Sequence, residues 1–179
     1  PGDIQWMKTG RGIIHSEMPA MTDGKLLGFQ LWINMPASMK MSKPKYEYIK
    51  SNQKTKFEDQ DKKINLIAGK FENVEGPVKG HNVEPIYFDI ELNENKKIIL
   101  SVPETHNSFV YLLKGDLKIG SQNHEKINDS TLVLLEKGSN LEIIANKKSK
   151  FLFIAGKPIG EPIARGGPFV MNTKAEILQ

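Results

Sequence analysis

Along this chain, apolar and polar residues alternate at period two far more often than they recur at helical spacing, so short strands dominate the expected structure. Gly28, Phe29, Gln30, Leu31, Trp32, Ile33 and Asn34 alternate in this way and stop at Pro36. A strand is expected to be under way at Ile4, and residues 39–49 carry Tyr46 and Tyr48 two apart, with Pro44 inside. Residues 50–62 turn polar and charged, which predicts a linker. Beyond it, strands are expected at 64–68, 86–92, 97–102, 109–113, 117–119, 131–135, 141–145 and 151–155. Asn93-Glu94-Asn95 and Lys114-Gly115-Asp116 read as hairpin turns between them. Evenly spaced short strands with Gly, Asn and Pro breaks indicate an all-β sandwich or barrel. Thr173-Lys174-Ala175-Glu176 fits a capping box, so a short helix is expected from Lys174.

Composition narrows the function classes. At 179 residues, the chain is long enough for one domain, or for one barrel plus part of another. It contains no cysteine, which excludes disulfides, thiolate nucleophiles and Cys-ligated metals within the chain. The net charge of +4 comes from dispersed lysines that read as a solvated surface. No helix-turn-helix or finger pattern appears, so sequence-specific nucleic-acid binding is not expected. No apolar run is long enough to span a bilayer, and residues 1–10 lack a signal-peptide pattern. The expected location is intracellular, cytoplasmic or nuclear.

The candidate chemistry lies in Gly10-Arg11-Gly12-Ile13-Ile14-His15-Ser16-Glu17-Met18-Pro19. If 13–17 is a strand, His15 and Glu17 share one face. An imidazole nitrogen beside a carboxylate oxygen suits iron, manganese, zinc or nickel, and suits non-haem Fe(II) where coordination positions stay open. Two ligands do not hold a metal tightly, and by spacing alone His-x-Glu more often forms a partly buried ion pair. His106 reads as a hydrogen-bonded barrel residue, since no second His follows it closely. His81 reads as structural or solvated, and His124 as a surface residue in a hairpin loop. Trp6 and Trp32 are candidates for an aromatic-substrate pocket or for the core. Arg11 would either neutralise an anionic substrate or form a salt bridge.

Four blocks carry a resemblance to a known family. Pro1-Gly2-Asp3-Ile4-Gln5-Trp6-Met7 with Gly10 to Glu17 resembles the segment that closes the first barrel of pirins. Gly28 to Pro36 resembles the strand after it, and His106-Asn107-Ser108-Phe109-Val110-Tyr111-Leu112-Leu113-Lys114-Gly115 resembles the counterpart in the second barrel. Gly166-Gly167-Pro168-Phe169-Val170-Met171-Asn172-Thr173 resembles the C-terminal signature. The resemblance implies an all-β fold of two tandem cupin barrels, the first incomplete here, with a short C-terminal helix. Residues 1–49 would end the first barrel, 50–62 would link, and 63–179 would form the second barrel and helix.

The resemblance further implies Fe(II), or another divalent transition metal, held in the first barrel by three histidines and a glutamate. His15 and Glu17 match two of these, with the others expected in a His-Pro-His segment upstream of Pro1. The second barrel would be metal-free. The implied activity is a quercetin 2,3-dioxygenase-type oxygenase using O2 on flavonol-like aromatic enols, with Glu17 taking the enol proton. The alternative is an iron-dependent redox-sensing cofactor that binds a transcription-factor protein without turnover; a metal-free scaffold is the third possibility. A barrel lacking its first strands would leave 4–34 disordered, swapped or aggregation-prone, with weak iron binding.

Overall fold

The alternating pattern becomes sheet in a computed structural model that describes residues 2–18, 23–24, 26–120 and 125–179. In chain order the elements are β1 (Ile4–Lys8), α1 (Ala37–Lys40), β2 (Lys45–Ile49), a 3-10 turn (Ser51–Gln53), β3 (Thr55–Glu58), β4 (Lys62–Ala68), β5 (Lys70–Phe71), β6 (Val74–Glu75) and β7 (Ile86–Leu92). They continue with β8 (Lys97–Ser101), β9 (Asn107–Ile119), β10 (Glu125–Asn128), β11 (Thr131–Leu135), β12 (Asn140–Gly156), β13 (Ala164–Gly166), β14 (Phe169–Met171) and α2 (Lys174–Ile177). Two compact units result: residues 1–6 with 48–158, and residues 7–47 with 159–179. Among the described residues, no helix is long and apolar enough to cross a membrane.

The larger unit is built on a sheet with strands in the order β10-β9-β12-β7-β4-β3, to which β11 adds on β9 and β8 on β12. Alternation fills its interior. Along β7, Phe88, Ile90 and Leu92 are buried, as are Ile98 and Leu100 on β8. In register, Val110 pairs with Phe153, Phe153 with Phe88, and Phe88 with Leu66, so one row of large side chains crosses four strands on the inner face. Aromatic rings extend that row at its edge, with Phe57, Phe71 and Phe88 meeting edge to face. A separate cluster forms where Ile67, Ala68 and Val78 are covered by Ile4, Trp6, Ile49 and Tyr87.

β9 and β12 are long because each joins two segments that the sequence presents as separate strands. The buried apolar residues of β9 are Val110 and Leu112, then Leu117 and Ile119. The parity changes from even to odd, and only an extra residue in the strand keeps both pairs on the same face. Gly115 supplies it at φ +123, where the register against β12 shifts. The Lys114-Gly115-Asp116 stretch is therefore a bulge inside one strand rather than a hairpin turn. Ser149 on β12 fastens it: its hydroxyl accepts from the Asp116 amide at 3.1 Å and donates to the Lys147 carbonyl at 2.7 Å. Asn93 to Asn95 does form the expected turn, with Asn95 at φ +58 and the Lys96 amide donating to the Asn93 carbonyl.

Residues 50–62, expected as a linker, carry ordered elements. Residues 51–53 form the 3-10 turn, and β3 is the edge strand of the main sheet, pairing with β4 from Thr55–Leu66 to Glu58–Lys63. Residues 159–179 group with 7–47 rather than with the second barrel.

In the smaller unit, β13 and β14 form a hairpin followed by α2. The helix starts where the capping box predicts: the Glu176 amide donates to Thr173 Oγ1, and the Glu176 carboxylate accepts from the Thr173 amide at 2.7 Å. Glu161 accepts from the Ala37 amide at 2.7 Å and from Asn172 Nδ2 at 3.1 Å, tying the start of α1 to the segment before β13.

Candidate functional site

The segment carrying His15 and Glu17 starts from a tight turn. Gly10 adopts φ +53, and a Cβ there would collide with the Ser42 carbonyl, while the Arg11 amide donates to that same carbonyl at 2.9 Å. The Gly12 amide closes the turn on the Thr9 carbonyl at 3.0 Å. Arg11 thus anchors through its backbone, and its side chain is exposed.

From Gly12 to Met18 the chain has no strand pairing, which corrects the expected strand at 13–17. Residues 28–34 likewise form no strand. Alternation assigns faces only when a neighbouring strand holds the backbone pleated, and among the described residues neither segment has such a neighbour. His15 and Glu17 are exposed rather than aimed into a closed barrel, and Ile14 between them is fully exposed. Glu17 Oε1 accepts from Gln30 Nε2 at 2.9 Å, so its neighbour is an amide and not His15. The partly buried His15–Glu17 ion pair is therefore not what forms.

As donors, an exposed imidazole and an exposed carboxylate fit two positions of a transition-metal site. Among the described residues, no group of three or more His, Cys, Asp or Glu is placed to hold a metal ion. His15 and Glu17 therefore fit as contributors to such a site and do not compose one alone.

The remaining candidates separate clearly. Trp32 is half exposed, with the Arg165 guanidinium 5.1 Å over its ring, a cation–π pair within the smaller unit. Trp6 packs in the cluster of Ile67, Ala68 and Val78, and meets the His81 ring edge to face at 5.1 Å. His106 is 4% exposed. Its Nε2 lies 3.1 Å from the Glu84 carbonyl and its Nδ1 3.4 Å from Thr105 Oγ1, as expected for a hydrogen-bonded barrel histidine. His124 lies outside the described residues, as does Pro19 at the end of the Gly10 block.

His81 and His106 stand on the wall of a cavity of about 350 Å³ in the larger unit, where Val78, Ile86, Pro103 and Glu84 also contribute. Sequence reading did not find this cavity. Its wall comes from the stretch between β4 and the start of β7 and from the turn before β9, which the fold brings together. Of its wall, sequence reasoning singles out His81 and His106, neither of them as part of a cavity.

Comparison with known proteins places these features. The family described as Pirin matches residues 1–33, and the Pirin C-terminal cupin domain matches residues 87–179. The chain is 39% identical over 181 residues to Pirin-1 of Arabidopsis thaliana, covering 98% of this chain and 62% of that protein. It is 36% identical over 182 residues to Pirin of Homo sapiens, covering 100% of this chain and 62% of the relative. A crystal structure of quercetin 2,3-dioxygenase from Acinetobacter baumannii superposes with TM-score 0.81 at 27% identity, over 99% of this chain and 63% of that one. The chain thus spans less than two thirds of the length of these relatives.

Proposed function

This chain belongs to the pirin family and has its cupin fold, and from that premise we propose that it contributes His15 and Glu17 to the iron site of a dioxygenase acting on flavonol-type aromatic enols. The observation that supports this reading is the exposure of both donors in a segment that matches the family. The similarity to a quercetin 2,3-dioxygenase supports the choice of substrate class. The protein acts inside the cell in this reading, and O2 is the second substrate.

When bound, Fe(II) supplies Lewis acidity and redox chemistry in its open coordination positions. The chain's own residues do the rest. His15 offers an imidazole lone pair, whose donor strength depends on what its second nitrogen bonds to. The Gln30 amide holds Glu17 Oε1, which fixes the carboxylate and leaves Oε2 to take a proton from an acidic enol. A proton acceptor of this kind contributes about 10²–10⁴-fold to a rate.

The test uses the intact protein with iron. Glu17→Gln is expected to lower kcat for O2 consumption with quercetin by at least about 10²-fold, with a smaller change in KM. His15→Ala is expected to lower iron content measured by elemental analysis. An iron-loaded protein that does not turn over any of a panel of flavonols would replace this reading with the redox-sensing binding module. Iron retained in full by His15→Ala would remove His15 from the site.

A further inference from the structure

Among the described residues, four strands of the main sheet have a ladder on one side only: β3, β8, β10 and β11. We infer that the β11 edge is a self-association surface, on which a second copy of this chain adds its own β11 antiparallel across a two-fold axis.

An unpaired edge is ordinarily defended by charge, proline or a bulge. Three of the four conform: β3 carries Lys56 and Glu58, β8 carries Lys97, and β10 carries Glu125 and Lys126. β11 reads Thr131-Leu132-Val133-Leu134-Leu135, with no charge and no proline. Its register on β9 runs unbroken from Thr131 opposite Leu112 to Leu135 opposite Ser108, so no bulge guards it either. Alternate residues of an antiparallel strand turn their N–H and C=O away from the neighbour. This edge therefore offers backbone donors and acceptors in the spacing of a ladder, and the occupant that meets them is an extended strand.

β11 is its own complement. With Val133 on the two-fold axis, Leu132 of one copy lies opposite Leu134 of the other, and Thr131 opposite Leu135. Leu132 and Leu134 are 55% and 77% exposed, and they stand in register with Tyr111 and Phe109 of β9. Pairing would set the leucines of both copies side by side on the outer face. The ends match as well. Asp129 and Lys137 stand four residues either side of Val133, so each copy's carboxylate comes level with the other's ammonium. Within its own chain Lys137 Nζ is held by neutral acceptors, the Thr105 and His106 carbonyls and Asn107 Oδ1, and its charge is left to favour an acidic neighbour.

A two-fold axis uses up the undefended edge of each copy, and the charged β3 at the far end of the sheet stops association at two. One strand pair makes an interface below about 1,200 Å², the weak and transient class. The dimer is therefore expected with a Kd of about 10–100 µM, and the chain is monomeric at the low micromolar concentrations of a denaturation measurement. His15 and Glu17 lie in the other unit, so this surface and the proposed iron site stand or fall separately.

Sedimentation equilibrium of the whole protein over about 1–500 µM should show monomer and dimer with no larger species, and hydrogen exchange at the upper end should show protection gained at 131–135. Leu132→Lys combined with Leu134→Lys places like charges opposite each other and should weaken dimerisation by at least about 10-fold, with the monomer's urea midpoint unchanged because both sites are exposed. Leu132→Glu combined with Leu134→Lys places opposite charges there, and should dimerise at least about 10-fold more tightly than the double lysine variant. A monomer at every concentration, or a dimer that the double lysine variant leaves intact, would overturn the proposal. Equal association of the two charged variants would overturn the antiparallel register and the proposal with it. A protein that stays monomeric but gains protection at 131–135 from an added, unrelated strand-forming peptide would assign the edge to a different partner and overturn the second copy.

Discussion

Replacing Gly115 by alanine tests whether the β9 bulge is held by geometry that only glycine permits. Two separate penalties follow from the structure. The backbone lies at φ +123, a region L-residues rarely enter, and such strain costs about 1–3 kcal/mol. The added Cβ would lie 2.6 Å from Ser149 Cβ and 2.7 Å from Ser149 Cα, and would strike the hydroxyl as well. Forcing a methyl group into a packed position costs about 1–3 kcal/mol. The two together come to about 2–6 kcal/mol, against a domain stability of about 5–15 kcal/mol. At a urea m value of about 2 kcal/mol/M, the unfolding midpoint should fall by roughly 1–3 M.

A double-mutant cycle separates the two penalties. Ser149→Gly alone removes the hydroxyl that accepts from the Asp116 amide, costing about 1–3 kcal/mol for a buried donor left unpaired. Combined with Gly115→Ala, it also removes the side-chain clash, so the pair should be less destabilised than the sum by about 1–2 kcal/mol. The φ penalty and the contact with Ser149 Cα remain. Parental stability for Gly115→Ala to within about 0.5 kcal/mol would show that the strand relaxes freely here. Strict additivity in the cycle would show that Ser149 is not what fills the space.

Two further predictions concern the same unit. Phe153→Ala should cost about 3–5 kcal/mol, because its fully buried ring sits in the row with Val110, Phe88 and Leu66, whereas Leu134→Ala, at 77% exposure, should stay within about 0.5 kcal/mol; urea denaturation giving similar losses for both would refute the assigned inner face. The Asp116 carboxyl is held below the ordinary carboxylate range, first by the Asn146 amide at 2.6 Å and then by Lys126 at 3.2 Å. A depressed folded-state pKa gives stability that is present above the unfolded value of about 3.9 and is lost as pH falls through the folded value. Asn146→Ala should therefore raise the Asp116 pKa in a carboxyl carbon-13 NMR titration and weaken the acid dependence of stability, and an unmoved titration would refute this.

Much of the larger unit was legible because most of its strands alternate against one main core. The sequence reading of 86–92 and 131–135 coincides with β7 and β11, and the Thr173–Glu176 pair placed the start of α2. β3 escaped notice for a physical reason. It is an edge strand, and edges carry charge as a defence against further pairing. Thr55 and Phe57 do alternate inward, but Lys56, Glu58 and the acidic turn that follows disguise them as a linker. The bulge escaped because Lys-Gly-Asp between apolar runs is also how a hairpin turn is written. Parity held the decisive information: Val110 and Leu112 cannot share a face with Leu117 and Ile119 across a regular strand.

The candidate site was legible in a different sense. That His15 and Glu17 are donors follows from their chemistry, but the inference that they point to one place rested on a strand at 13–17. A strand is a relation between two chains of residues, and its alternation enforces orientation only through the ladder that pairs them. Gly12 to Met18 has no such ladder among the described residues, and its exposed Ile14 has no core to settle in. If the two act as metal ligands, as proposed, they must be ordered in the act of binding, and each flexible side chain so fixed costs up to about 2 kcal/mol. The Gln30 bond to Glu17 offsets part of that cost for one side chain, while among the described residues His15 has no comparable tether. In that reading metal affinity and local order in this segment are one equilibrium, and whatever orders residues 13–17 raises both together.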